Sequence, residues 1–189
     1  GADQIGTLGS GNHFLEVQIV DKVYDRDIAS AWEVYQGDAT VMIHTGSRGF
    51  GHQVCTDQMA AMIKDARRKR LYLPNEELVY AMLKSETAQR YEMAMGAAAN
   101  YAFANRQVIM HFVREAFQKV MRGLPRQNFQ LLYDVCHNIA KRETHYVGDD
   151  VQTVMIHRKG ATRALPKNHE LLTSIFKNTG QPVIIPGDM

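Results

Sequence analysis

Strand-like hydrophobic patterns occupy both ends of the chain. Residues 14–20 alternate polar and apolar side chains after a Gly-Ser-Gly turn, and residues 39–44 form a short apolar run that stops at a glycine-rich turn. Alternation of this kind and short apolar runs bounded by turns are typical of strands. Segments of similar character predict further strands at residues 129–135, 144–147, 151–157 and 183–185. A Gly148-Asp149-Asp150 turn joins the second and third of these.

Between the two ends, the apolar residues repeat with helical spacing. The pattern predicts a helix from about Gly51 to Arg70, whose last turn holds the basic residues 67–70 that suit a helix C-terminus. Residues 77–122 are rich in Ala, Met and Leu and contain no proline, which predicts one long helix or two helices broken near Gly96. The predicted fold class is therefore α+β, with mixed or antiparallel sheets and a long Ala/Met-rich helical segment in the middle.

The composition is that of a globular protein. The 189 residues are 45% hydrophobic and 22% charged, and the net charge of +2 does not by itself require a nucleic-acid partner. The length suits a single domain over residues 1–189. No apolar run approaches the roughly 20 residues of a membrane span, and the sequence shows no signal-peptide pattern. Cys55 and Cys136 fit a reduced, cytoplasmic protein better than a disulfide scaffold. Because the chain does not begin with Met and motif-like segments stand at both ends, we expect a fragment of a larger protein.

Three histidines lie in segments that combine a flexible backbone with a second polar group. The segments are residues 9–16, 44–49 and 134–138. In the first, His13 follows Asn12 at the mouth of a predicted strand, three residues before Glu16. Neutral imidazole is a common ligand for Mn, Zn, Fe and Cu, and Asn12 and Glu16 offer the donors and acceptors that a base or sugar edge uses. The alternative is a turn histidine whose nitrogens are satisfied by the backbone.

The second segment runs from a strand through a glycine-rich turn into a helix, starting at His44. Backbone N–H groups at such a turn can face an anion, and Arg48 adds a bidentate fork for a phosphate. The spacing is not that of a P-loop, since Gly-Lys-Ser/Thr is absent. The alternative is a glycine turn needed only for chain reversal.

The third segment places His137 where the predicted strand over residues 129–135 enters a loop, a common place for a ligand. A capped or buried histidine is the alternative. Cys136 would face the opposite way if the strand persists, so it is not assigned to a metal. Further along, residues 157–163 place three cations around Gly160. Phosphate contact is the functional interpretation of that loop, and a solvated charge run is the alternative.

Taken together, these segments resemble the RtcB family of GTP-dependent RNA ligases, which act in tRNA splicing and RNA repair. The matching stretches come in the family's order and span nearly the whole chain. They are residues 6–16, 44–54, 101–106, 134–141, 157–164 and 180–187.

The resemblance implies a cleft that holds two Mn²⁺ ions, ligated by histidines together with an aspartate and a bridging cysteine. The histidines correspond to His13, His44 and His137, and such a ligand set would also take Zn²⁺. The implied nucleotide contacts are Asn12, His13, Phe14, Leu15, Glu16, His137, Asn138, Pro186, Gly187, Asp188 and Met189. Arg48 and Lys159 would hold RNA or nucleotide phosphates.

The implied reaction joins RNA 3′-phosphate or 2′,3′-cyclic phosphate ends to 5′-hydroxyl ends, such as those of tRNA halves. GTP guanylylates a histidine, the GMP passes to the RNA 3′-phosphate, and the 5′-hydroxyl attacks that activated end. The resemblance leaves open an activating protein partner. Two other functions also stay open: a non-catalytic relative that binds RNA or nucleotide, and a metal-dependent phosphoester hydrolase.

The chain departs from the family pattern in three places. The aspartate and cysteine ligands would precede residue 1, and the guanylylated histidine would follow Met189, so no catalytic nucleophile lies within the chain. Asp188 stands where relatives usually have a serine. We therefore expect the isolated 189 residues not to be a competent ligase.

Overall fold

The computed structural model describes residues 1–123, 125 and 129–185. Within these residues, helices and small sheets occur together, which confirms the predicted α+β class; the metal–nucleotide cleft stays a prediction. The elements are, in chain order, β1 (Phe14–Ile19), α1 (Arg26–Ala31), β2 (Ala39–His44), α2 (Arg48–Arg68), α3 (Glu86–Val120), β3 (Ile139–Val147) and β4 (Asp150–Arg158). Among the described helices, none has both the length and the apolar character needed to cross a membrane.

Two small sheets contain the strands. β1 pairs with β2 in one sheet, and β3 pairs with β4 in the other. The β3–β4 pair is antiparallel, with Ile139 opposite Arg158 at its open end. At the closed end, Gly148 has φ +63°, the left-handed backbone that a tight hairpin turn requires. The hairpin predicted at residues 144–147 and 151–157 is thus confirmed, and it begins earlier than the pattern indicated.

The chain divides into two compact units. The first contains Gly1–Val17 and Val41–Phe129, and the second contains Gln18–Thr40 and Gln130–Met189. Helices α2 and α3 belong to the first unit, whereas α1 and the β3–β4 hairpin belong to the second. A single domain over residues 1–189 stays a prediction.

The core of the first unit lies along α2 and α3, which pack against each other. Its buried apolar residues there are Met62, Ala66, Ala88, Ala102 and Ile109. Helix α3 continues without a break through Gly96, so the alternative of one long helix is confirmed and that of two helices is wrong. A glycine inside a helix costs only about 1 kcal/mol relative to alanine, which the packing against α2 readily offsets.

The predicted start of the long helix is also wrong. The helix begins at Glu86 rather than near residue 77, because the Ser85 hydroxyl accepts a hydrogen bond from the Ala88 N–H and caps the first turn. Upstream, Glu76–Leu78 form a single 3₁₀ turn. Helix α2 begins at Arg48, directly after the glycine-rich turn and three residues before its predicted start.

Two predicted strands are not formed. Residues 129–135 lie outside any strand; in the second unit, Tyr133 packs edge-on against Phe176 at 5.6 Å between ring centroids, and its hydroxyl accepts a hydrogen bond from Gln181 Nε2 at 2.7 Å. Side-chain contacts therefore hold this segment in place of a backbone ladder. Residues 183–185 are likewise not a strand, and Ile185 is 84% exposed rather than buried.

Candidate functional site

In the first unit, two of the predicted histidines come together. His13 directly precedes β1 and His44 ends β2, so the pairing of these strands brings the two side chains side by side. Their ring centroids lie 5.7 Å apart in an edge-to-face arrangement, and the Phe14 ring lies 5.3 Å from that of His44. Two histidines from separate segments thus form a contacting pair.

The surroundings of His13 favour a neutral imidazole. Burial lowers the pKa of His13 below its ordinary value, and the nearby His44 and Arg48 charges lower it further. The Nδ1 atom of His13 is buried with no hydrogen-bond partner among the described residues. Since a buried polar atom usually has a partner and neutral imidazole is the form that ligates metals, the residue fits a metal ligand.

Arg48 lies beside this pair. It is the first residue of α2 and has φ +55°, an unusual backbone conformation for a residue with a side chain. Its Nε donates a hydrogen bond to Thr7 Oγ1 at 3.2 Å. Gly9 fits between Arg48 and His13, because a Cβ atom added to Gly9 would overlap the guanidinium and the imidazole Nδ1. We call His13, His44 and Arg48 the first cluster; it combines two imidazoles with a cation suited to phosphate.

The side chains of β1 divide between its two faces, since successive residues of a strand point to opposite sides. Phe14 contacts His44, and Glu16 lies on the same face by alternation. Leu15 and Val17 instead line an apolar groove of about 410 Å³ beside α3. A nucleotide contact of Leu15 on the His44 face would therefore have to come from its backbone.

In the second unit, the hairpin brings together two other predicted segments. Asn138 immediately precedes β3 and Lys159 immediately follows β4, so both flank the open end of the hairpin. The Gly160 N–H donates to Asn138 Oδ1 at 2.8 Å, and the Ala161 N–H donates to the His137 carbonyl at 3.3 Å. We call His137, Asn138 and Lys159 the second cluster.

Of the cations in the 157–163 loop, Arg158 is committed to an ion pair within the hairpin. Its guanidinium donates two hydrogen bonds to the Glu143 carboxylate, at 2.7 and 2.9 Å, and both side chains are mostly buried. Lys159 by contrast is exposed. Arg158 is thus not a solvated charge, and Lys159 is the neighbouring cation that faces solvent; phosphate contact by this loop stays a prediction.

We expect the Glu143–Arg158 pair to make hairpin stability pH-dependent. The hydrogen bonds from Arg158 are the largest cause that holds the pKa of Glu143 at about 2, below its ordinary value of 4.5. Because the folded-state pKa is depressed, the stabilisation is fully present above pH 4.5 and is lost as the pH falls toward 2. At pH 7, Glu143→Gln should therefore speed amide exchange in β3 and β4 by about tenfold, allowing for screening of the pair.

The measurement is hydrogen exchange of the hairpin peptides in parent and variant, corrected for intrinsic rates, between pH 7 and 3. The difference between the two proteins should shrink as the pH falls. Glu170→Gln, an exposed carboxylate of the same unit, is the control. A difference that is the same at pH 7 and pH 3 would show that the carboxylate charge does not stabilise the hairpin.

The predicted site residues thus form two clusters, one in each unit. Within either unit, the described residues bring together no group of three or more His, Cys, Asp or Glu side chains able to hold a metal ion. The predicted nucleotide contacts Pro186, Gly187, Asp188 and Met189 lie outside the described residues. Glu143, the partner of Arg158, was not predicted, since its position in a charged strand resembles that of any exposed glutamate.

Comparison with known proteins agrees with the resemblance seen in the motifs. The family model described as tRNA-splicing ligase RtcB matches residues 1–189. A tRNA-splicing ligase RtcB of Pyrobaculum aerophilum is 52% identical over 192 residues, which cover all of this chain and 40% of that protein. The proteins of the same name from Pyrococcus abyssi and Methanococcus maripaludis are 52% and 48% identical, again over all of this chain, and the matches cover 21% and 40% of their lengths. The chain therefore spans between about a fifth and two fifths of the curated relatives it matches.

Proposed function

Because the chain belongs to the tRNA-splicing ligase RtcB family, we propose that the whole protein is an RNA ligase. It joins RNA 3′-phosphate or 2′,3′-cyclic phosphate ends to 5′-hydroxyl ends, such as those of tRNA halves, with GTP as the energy source. The observation that carries the proposal is the first cluster, in which His13, His44 and Arg48 meet around the Gly9 backbone. Two imidazoles beside a guanidinium suit a reaction at a phosphate.

The metal ligands contributed by this chain are His13, His44 and His137. The buried, unpartnered Nδ1 of His13 and its lowered pKa suit this role. Mn²⁺ is the proposed ion, two per site, and the imidazoles suit Zn²⁺ as well. When bound, such ions polarise phosphoryl oxygens and stabilise the charge that develops on them.

The remaining residues orient the nucleotide and the RNA. We assign Arg48 and Lys159 to phosphates, since Arg48 is anchored by Thr7 and Lys159 is exposed at the open end of the hairpin. Nucleotide contacts are assigned to Asn12, Phe14, Leu15, Glu16, Asn138 and the segment 186–189. The guanylylated histidine is assigned to a part of the protein outside these 189 residues. A cytoplasmic location and an activating protein partner remain predictions.

The test is ligation by the complete protein of two RNA halves, one with a 3′-phosphate and one with a 5′-hydroxyl, in the presence of GTP and Mn²⁺. We expect Arg48→Ala to lower the ligation rate by roughly 100-fold, the usual cost of losing one preorganised group that stabilises transition-state charge. Arg48→Lys should restore little of it, because an ammonium cannot reproduce the bidentate fork.

Arg90→Ala is the matched control, since Arg90 is exposed on α3 and pairs with Glu86 in the preceding turn. Failure of the parent protein to join the halves would overturn the proposed ligase function. RNA retention without joining would indicate a binding relative, and loss of the terminal phosphate would indicate a hydrolase. If the parent protein ligates RNA and Arg48→Ala ligates at the same rate, the proposed function holds, but Arg48 does not contribute to it.

A further inference from the structure

Asn105 of α3 is the largest fully buried side chain of the described residues, at 0% exposure. Its Oδ1 accepts hydrogen bonds from the backbone N–H groups of Gly6 and Thr7, at 2.6 and 3.2 Å. Its Nδ2 donates to the Thr7 and Gly46 carbonyls, both at 3.1 Å. Nδ2 also lies 3.5 Å from the Thr45 hydroxyl oxygen. Both ends of the amide are therefore used, and most of these partners are backbone.

The two backbone segments that Asn105 joins are the ones that lead into the first cluster. Residues 6–7 begin the glycine-rich loop that ends at His13, and Gly46 belongs to the turn between His44 and Arg48. Thr7, whose backbone is held at both its N–H and its carbonyl, also accepts the hydrogen bond from Arg48 Nε. Asn105 is thus connected to Arg48 through a single residue, Thr7, so a substitution at Asn105 is expected to alter the position of Arg48.

Further contacts tie the same two segments together. The Thr45 hydroxyl is buried and donates to the Leu8 carbonyl at 2.5 Å. Arg106, the next residue of α3, donates from Nη1 to the Thr45 carbonyl at 3.2 Å. These contacts support the arrangement in which the Asn105 side chain bonds both segments.

We propose that Asn105 is a positioning residue that fixes Arg48 and His13 relative to each other by bonding the 6–7 and 45–46 segments at once. Asparagine suits this role because its amide is donor and acceptor together and carries no charge to bury. Aspartate has the same shape and keeps the acceptor for Gly6 and Thr7, but it offers no donor to the two carbonyls. The inference about activity rests on the proposed ligase function.

The first experiment needs no catalysis. Amide hydrogen exchange is measured in the complete protein, free of RNA and GTP, for the parent, Asn105→Asp and Asn100→Asp. Asn100 is exposed on the same helix and is the matched control. We expect exchange at residues 5–9 and 45–48 to quicken at least about tenfold in Asn105→Asp alone, with the rest of α3 unchanged. Unchanged exchange in those two segments would overturn the proposal whether or not the protein is a ligase.

The second experiment separates positioning from general stability by a double-mutant cycle. Asn105→Asp should lower the ligation rate by about 10- to 100-fold, the range found for residues that orient a functional group. In the Arg48→Ala background, the same change should cost less than about threefold, because the group it positions is gone. Equal losses in both backgrounds would mean that Asn105 does not act through Arg48.

If Asn105→Asp does not fold, Thr45→Val tests the same connection, since it removes both the hydroxyl bond to the Leu8 carbonyl and the acceptor for Asn105 Nδ2. We then expect faster exchange at residues 5–9 and a smaller loss of ligation that again disappears in the Arg48→Ala background. Additive losses, or unchanged exchange at those residues, would overturn the proposal.

Discussion

Gly9→Ala should nearly abolish ligation by the complete protein, whereas Gly11→Ala, two residues along the same loop, should leave it within a few-fold of the parent. Both glycines have positive φ, +112° at Gly9 and +75° at Gly11, so both substitutions introduce backbone strain. The strain costs about 1–2 kcal/mol at a left-handed position such as that of Gly11. What separates the two positions is the space around the new methyl group.

At Gly9, an added Cβ would lie 2.7 Å from Arg48 Cζ, and it would lie closer still to Arg48 Nη1 and to His13 Nδ1. At Gly11, it would meet no atom within 4 Å. The methyl group at Gly9 must therefore displace Arg48, His13 or both. A misplacement of about 1 Å in a catalytic group is enough to cost roughly 100-fold in rate, so we expect at least that loss.

The comparison is made on ligation rates of the two variants under saturating GTP and RNA, with thermal unfolding of each protein as a check on folding. Similar unfolding temperatures with very different rates would tie the loss to the site. If Gly9→Ala and Gly11→Ala lose activity equally, strain in the loop rather than displacement of the cluster is the cause, and the packing around Gly9 is not functionally important.

Local sequence signals were sufficient to predict those elements whose own residues specify their structure. The β3–β4 hairpin could be predicted because alternation and a Gly148 turn specify it within a short segment. The long helix could be predicted from its Ala- and Met-rich run, although its start depends on the Ser85 cap, which a periodicity argument does not weigh. Helix α1 was not predicted, because six residues are too few to show the periodic spacing of apolar residues that indicates a helix. The Asp25 side chain caps this helix, but that signal alone did not indicate one.

The prediction of strands failed where strand formation depends on a neighbouring strand to pair with. Residues 129–135 have the apolar character of a strand, but a strand also needs a neighbour, and no described segment pairs with this one. Their side chains pack instead, as Tyr133 does against Phe176. An apolar run alone does not distinguish these outcomes.

The candidate site shows the same division. His13, His44 and His137 stand out in the sequence because glycine or asparagine flanks each of them, yet only the β1–β2 pairing makes a pair of the first two. Asn105 lies in the 101–106 stretch that resembles the family, but its residue type and its place on a helix are those of Asn100 as well, although one is fully buried and the other exposed. Residues that hold a site through backbone partners leave little trace in local sequence.

Replacing either His13 or His44 should greatly weaken metal binding. In the complete protein, we expect His13→Ala and His44→Ala each to weaken binding of Mn²⁺ at one site by more than about 100-fold, beyond the 10- to 100-fold cost of losing a group that merely orients a ligand. The two ring centroids lie 5.7 Å apart. If both imidazoles ligate one ion, as proposed, the double variant should bind little more weakly than either single one, because the loss of either ligand already removes most binding at that site.

Binding is followed by loss of the free Mn²⁺ signal in electron paramagnetic resonance, without RNA or GTP, so the result does not depend on activity. His111→Ala is the control, since His111 is 56% exposed on α3 and its Nε2 lies 3.4 Å from Glu115 Oε1. Because neutral imidazole is the ligating form and the pKa of His13 is lowered, its contribution should persist to a lower pH than that of an ordinary histidine. Independent, additive losses from the two histidines would assign them to different ions, and unchanged affinity in both variants would remove the pair from the metal site.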